Sequence, residues 1–190
     1  MNKWWIVLAV VVVLIILIMI PVSMYFGFYN SVTLLKNDAE AQMKQVDNQL
    51  QRRYDLIPNL VNTVKGYAAH EKEIFTNIAD ARGRMMQAGN VREKAAADGA
   101  LTSALSRLML VVENYPQLKA NEQFNRLMDN LEGTENRLAV ERKRYNDLVK
   151  EYNNKIQLFP GSIFAGMTGL QKMDYFEVPQ SAKQNPTVKF

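Results

Sequence analysis

The side chains that could do chemistry are few and scattered. The chain has a single histidine, His70, in Ala69-His70-Glu71-Lys72-Glu73, and no cysteine. A zinc site takes three or four ligands, and His70 has no second histidine within a helical turn, so it reads as a solvated helix residue. Without Cys there are no disulfides, thiolate metal sites or cysteine nucleophiles. The sequence contains no G-x-S-x-G elbow, no phosphate loop ending in Gly-Lys-Ser or Gly-Lys-Thr, and no G-x-G-x-x-G turn. The carboxylate pairs Glu71/Glu73 and Glu132/Glu135 could share acid and base work, but on helices rich in Lys and Arg such pairs are ordinarily solvated surface charges. The most basic stretch, Arg142-Lys143-Arg144 with Lys150 and Lys155, is interrupted by Glu141, Asp147 and Glu151. The net charge of +4 is spread along the chain rather than clustered, so no nucleic-acid partner is expected. These residues supply no catalytic set, no metal site and no cofactor site.

Polar residues inside otherwise apolar patterns are more informative. They fall in Arg52-Arg53-Tyr54-Asp55-Leu56-Ile57-Pro58-Asn59-Leu60 and in Glu132-Gly133-Thr134-Glu135-Asn136-Arg137. An antiparallel pairing of the two segments would bring Arg52 or Arg53 to Glu132 or Glu135, and Asn59 to Asn136. Such a polar layer would fix the register of a helical bundle, and this reading is preferred to a ligand pocket at the same place.

The elements that must carry these residues are helices. Apolar positions fall at Val32, Leu35, Ala39, Met43, Val46, Leu50, Tyr54, Ile57, Val61, Val64 and Ala68, always three or four apart, and the pattern can be followed to Ile74, Phe75, Ile78 and Ala81. Pro58 should kink this first helix or start a new segment near Asp55. A second helix is expected from about Val91 to Glu113, with Leu101, Leu105, Leu108 and Val112 as its stripe, stopped by Asn114-Tyr115-Pro116. A third carries a heptad-like, coiled-coil seam through Ala120, Phe124, Leu127, Leu131, Thr134, Leu138, Glu141, Tyr145, Leu148, Tyr152 and Ile156, ending before Pro160. A short fourth helix could run from Ser162 to about Gln171. No strand-like alternation occurs, so the expected fold is all-α, an elongated antiparallel bundle of three long helices with a short fourth.

Ahead of the bundle, Trp4 to Leu35 contains no charged side chain. The run from Trp4 to Ile20 is apolar all round and is too long for a cleaved signal, so it reads as a transmembrane anchor. Trp4 and Trp5 at one end and Tyr25 and Phe26 at the other suit the two headgroup layers, and Pro21 should bend or loosen the exit. The Lys and Arg residues flanking the anchor slightly favour a cytoplasmic C-terminal domain. The domains expected are an anchor over 1–29, a bundle over 30–178 and a flexible tail over 179–190. No Pro/Gly-rich linker separates anchor from bundle.

Five separated blocks carry a family resemblance: Arg52-Arg53-Tyr54-Asp55-Leu56-Ile57-Pro58-Asn59-Leu60-Val61, Tyr115-Pro116-Gln117-Leu118-Lys119-Ala120, Leu131-Glu132-Gly133-Thr134-Glu135-Asn136-Arg137-Leu138-Ala139, Arg144-Tyr145-Asn146-Asp147 with Tyr152-Asn153, and Phe159-Pro160 with Tyr175-Phe176-Glu177. In this order they resemble the LemA family. The resemblance implies a bacterial single-pass protein of the plasma (inner) membrane, its short N-terminus outside and a helical-bundle domain attached. It supplies no catalytic residues and no substrate, and related proteins are associated with membrane and organelle organisation. The short C-terminal tail departs from relatives that carry long low-complexity endings.

Together these features point to a non-enzymatic scaffold anchored in the lipid bilayer that self-associates as a homo-oligomer or docks other membrane proteins. A sensor or regulatory subunit binding a ligand or lipid headgroup at the polar layer is the alternative.

Overall fold

The computed structural model describes residues 3–68 and 70–177. Among these residues there are six helices: α1 (Lys3–Lys65), α2 (Lys72–Gln87), α3 (Val91–Val112), α4 (Pro116–Lys119), α5 (Glu122–Gln157) and α6 (Gly161–Thr168). The fold is all-α, as expected. The chain divides into two compact units, one comprising the described part of Met1–Glu40 with Leu148–Met173, the other Ala41–Asp147 with the described part of Asp174–Phe190. The 179–190 tail lies outside the described residues.

In the second unit, cross-helix bonds set the directions. Gln42 donates to Glu141 at 2.6 Å and Arg53 pairs with Glu135 at 2.7 Å, so α1 and α5 are antiparallel. Asp47 pairs with Lys94 at 2.6 Å and Asp98 with Arg53 at 2.6 Å, so α1 and α3 run parallel. With the short connections on either side of α2, this is an up-down-up-down four-helix arrangement. Val46, Leu50, Tyr54, Ile57, Leu60 and Val64 of α1 form its core with Ile78 of α2, Leu101 and Leu108 of α3, and Leu131, Leu138 and Tyr145 of α5. Each large apolar side chain removed from water contributes about 2 kcal/mol. Local signals start the helices: the Asn90 side chain accepts from the Glu93 amide at 2.9 Å while Glu93 accepts from the Gly89 amide at 2.7 Å, a capping-box variant. Asn121 caps α5 by accepting from the Phe124 amide at 2.9 Å.

Three expectations are corrected. The first helix does not continue to Ala81 but ends at Lys65, and α2 folds back as a separate element. Ala68 and Phe75 are seven residues apart, so the apolar phase survives the reversal and periodicity alone cannot reveal it. The reversal lets Phe75, Ile78 and Ala81 be buried. No new segment starts near Asp55, because α1 runs unbroken past Pro58. A mid-helix proline costs about 3 kcal/mol, which burial of the neighbouring Tyr54, Ile57 and Leu60 outweighs. Beyond Ile57 the buried stripe passes through Leu60, not Val61.

The first unit joins the N-terminal part of α1 to the end of α5 and to α6. Val32, Tyr152, Ile156 and Ala165 form its core, flanked by Phe28, Leu35, Leu170 and Met173. The Tyr152 hydroxyl donates to the Gln171 carbonyl at 3.0 Å. The Asn153 amide group both donates to the Met173 carbonyl and accepts from the Met173 amide, each at 2.9 Å. Gly169 closes α6 with a φ of 69°, a left-handed conformation that favours glycine. From Trp4 to Ile20 every side chain of α1 is exposed, and the segment is long and apolar enough to cross a membrane. α3 also meets that length and composition test, but half of its window is buried in the bundle, which marks it as a core helix.

Candidate functional site

The most organised polar feature of the second unit is a ring of four charged side chains. Arg53 of α1 donates through Nη1 to Asp98 of α3 at 2.6 Å and faces Glu135 of α5 at 2.7 Å. Arg142, two turns beyond Glu135 on α5, closes the ring with Nη1 on Asp98 at 2.9 Å and Nη2 on Glu135 at 2.6 Å. The Asp98 side chain is 1% exposed and that of Arg53 5% exposed, so these charges have left water and depend on one another. Thr102 extends the network, accepting from Arg53 Nη2 at 3.1 Å and donating to the Asp98 carbonyl at 3.0 Å. The Arg142 guanidinium lies 5.6 Å from the centre of the Phe176 ring, a cation–π contact.

Two positive and two negative groups make the ring formally neutral. Burial pushes the Asp98 carboxyl above its ordinary value, while Arg53 and Arg142 pull it down and the Glu135 charge adds to the rise. Burial also raises the Tyr54 phenol, with Asp98 adding to the rise. Among the described residues the Tyr54 hydroxyl and Arg53 Nε have no hydrogen-bond partner. Tyr54 lines a cleft of about 280 Å³ with Leu50, Met85, Met86 and the Asp47–Lys94 pair, just under the usual size of a small-molecule site.

Of the six residues singled out from the sequence, Arg53 and Glu135 meet in the ring. Arg52, Asn59, Glu132 and Asn136 are exposed and do not enter it. Successive helix residues are about 100° apart, so only those in phase with the buried stripe can reach a facing helix. Asp98 and Arg142 were missed. Asp98 carried a signal, since it lies on the same stripe as Leu101, Leu105, Leu108 and Val112. Arg142 was hidden in a basic triplet, although it follows Glu135 by two helical turns on the same face. Among the described residues no group of three or more potential metal-ligating side chains occurs.

A second feature is the pair of Tyr-Asn dipeptides on α5. In the first unit, Tyr152 and Asn153 hold Gln171 and Met173 as described above. In the second, the Tyr145 hydroxyl donates to the Asp174 carbonyl at 2.9 Å. Asn146 accepts from the Phe176 amide at 2.8 Å and donates to its carbonyl at 3.1 Å. An Asn side chain presents an N–H donor and a carbonyl acceptor side by side, as a peptide group does, and so can pair a non-helical backbone on a helix face.

The anchor residues are placed as a helix surface. Trp4, Trp5, Pro21 and Phe26 are exposed and Tyr25 is half-buried, stacked on Tyr29 at 6.3 Å. α1 continues unbroken past Pro21.

Comparison with known proteins adds the lineage. The chain is 29% identical to Magnetosome protein MamQ 2 and to Magnetosome protein MamQ 1 of Paramagnetospirillum magneticum, and 28% identical to Magnetosome protein MamQ of Magnetospirillum gryphiswaldense. Each similarity covers 78% of this chain and 64% of the relative, so the chain spans less than two thirds of the length of the curated relatives it matches. Residues 42–190, which include the whole charged ring and both Tyr-Asn dipeptides, match the LemA family, and the protein belongs to that family.

Proposed function

We propose that this protein is a non-enzymatic, single-pass scaffold of the bacterial inner membrane, whose helical bundle self-associates or docks other membrane proteins. The observation that carries the reading is the Trp4–Ile20 surface, apolar on every side and exposed throughout. Each large apolar side chain left in water forfeits about 2 kcal/mol, so a bilayer is the natural solvent for this segment. The charged ring supports a structural role for the bundle interior, because its acids and bases neutralise one another. The flanking charges favour a cytoplasmic bundle. The similarity to magnetosome proteins is consistent with a part in membrane organisation.

The test has two arms. Alkaline extraction of native membranes should leave the full chain with the bilayer and release a chain lacking residues 1–29. Cross-linking in intact membranes should give discrete adducts of the full chain, and a protein that stays monomeric and captures no neighbour removes the scaffold reading.

The alternative, a sensor that binds a ligand or lipid headgroup, draws on the unpartnered Tyr54 hydroxyl beside the cleft. It requires a ligand that raises the Tm of the protein but not of Tyr54→Phe.

A further inference from the structure

The corner between α5 and α6 carries a second apolar surface, placed beside the exit of the anchor. In the first unit α5 descends antiparallel to α1: Tyr152 and Ile156 pack with Val32, Lys155 donates to the Ser31 hydroxyl, and Leu158–Gly161 borders a groove shared with Met24, Gly27 and Phe28. α6 is held at that level by Phe164, whose ring lies 5.8 Å from Tyr25 and 5.4 Å from Phe28. Gly161 fixes the height, since a Cβ there would overlap the Lys155 carbonyl and the Phe28 ring.

The outward side of this corner is apolar. Leu158, Phe159, Ile163 and Met167 are 64%, 82%, 55% and 74% exposed. No charged residue occurs from Ile156 to Gln171, and exposed Lys155 and Lys172 bracket the stretch. At about 1.5 Å per residue a hydrocarbon core of about 30 Å takes some 20 residues of helix. With Trp4 and Trp5 in one headgroup layer, Met24–Phe28 therefore falls at the other, and so does the α5–α6 corner.

We propose that this corner is a second membrane contact, with Leu158, Phe159, Ile163 and Met167 seated at the boundary of headgroups and acyl chains and with Lys155 and Lys172 among the headgroup phosphates. The occupant is the bilayer itself, because the patch is continuous with the anchor surface. The proposal rests on the anchor reading.

The chain has no cysteine, so single spin labels can be placed cleanly. Full-length Phe159→Cys, Ile163→Cys and Met167→Cys would be compared with Val12→Cys in the anchor and Glu151→Cys higher on α5, in vesicles of phosphatidylcholine and phosphatidylglycerol. The expected result is an oxygen-to-nickel-chelate accessibility ratio several-fold higher at 159, 163 and 167 than at 151, approaching that at 12. Labels at 159, 163 and 167 that behave like 151 while 12 reads as lipid overturn the proposal and leave the anchor standing. A label at 12 that reads as aqueous overturns the anchor reading and the proposal with it. Labels shielded from both reagents at high protein density, and opened to nickel on dilution into lipid, show a second copy of the chain on the patch and also overturn it.

Discussion

Asp98 is the residue on which the interior of the second unit turns. It accepts from two guanidinium groups, and removing it leaves the buried Arg53 and Arg142 to share the single carboxylate of Glu135. Asp98→Ala should therefore destabilise the protein by about 3–5 kcal/mol, read from the denaturant midpoint in detergent. Replacing all four ring members by apolar residues of similar volume should cost far less, because no charge is then left alone. If Asp98→Ala unfolded at the wild-type midpoint, the ring would have no structural weight. Tyrosines give a second handle. Burial raises the phenols of Tyr54 and Tyr152, and burial with the Asp174 charge pushes that of Tyr145 up to about 12. A folded value above the unfolded value of 10.0 means that the stabilising contribution is whole below pH 10 and is lost as pH rises from 10 toward 12. Stability should accordingly be flat near neutrality and fall in alkali, with the tyrosinate absorbance of Tyr54, Tyr145 and Tyr152 rising late and in step with unfolding. At this scale the sequence was half legible. Arg53 and Glu135 stood out as charges inside apolar patterns, whereas Asp98 needs the partner helices in place before its burial makes sense.

At the scale of elements, periodicity located the long helices well because each buries one continuous stripe. α3 and the end of α5 fall where the turn residues placed them. The fold-back after Lys65 was illegible because the stripe keeps its phase from Ala68 to Phe75. Pro58 misled in the opposite sense, since packing around Ile57 and Leu60 outweighs its local cost. Pro58→Ala should restore an amide donor to the Tyr54 carbonyl and raise the Tm, a gain of about 1–3 kcal/mol, and a lowered Tm would show that the proline geometry is required. Tyr145 and Tyr152 were visible in the seam of α5, but the role of their Asn neighbours was not, because a side chain that pairs a non-helical backbone has no periodic signature. Asn146→Ala removes two hydrogen bonds to Phe176 and should cost about 1–3 kcal/mol. Hydrogen exchange should rise sharply at the Phe176 amide while the α2–α3 hairpin stays protected. Unchanged exchange at Phe176 would mean that something other than Asn146 holds the segment.

For the whole molecule, the sequence pointed to an all-α chain with an apolar N-terminal helix and a resemblance to the LemA family, and the helices of the described residues and the family match over residues 42–190 bear these out. What it could not supply was the number of helices around the charged ring, because that depends on one chain reversal. The scaffold account asks the bundle surface to meet a partner, and Leu110 on α3 and Val140 on α5 are large apolar residues left 45% and 49% exposed. The most direct measurement is photo-crosslinking from these two positions in the full chain, in intact membranes at native expression. The account predicts discrete, reproducible adducts from at least one position, lost when the exposed side chain beside the probe is replaced by Asp. Monomer alone from both positions, in membranes where the anchor is shown to be inserted, would contradict it.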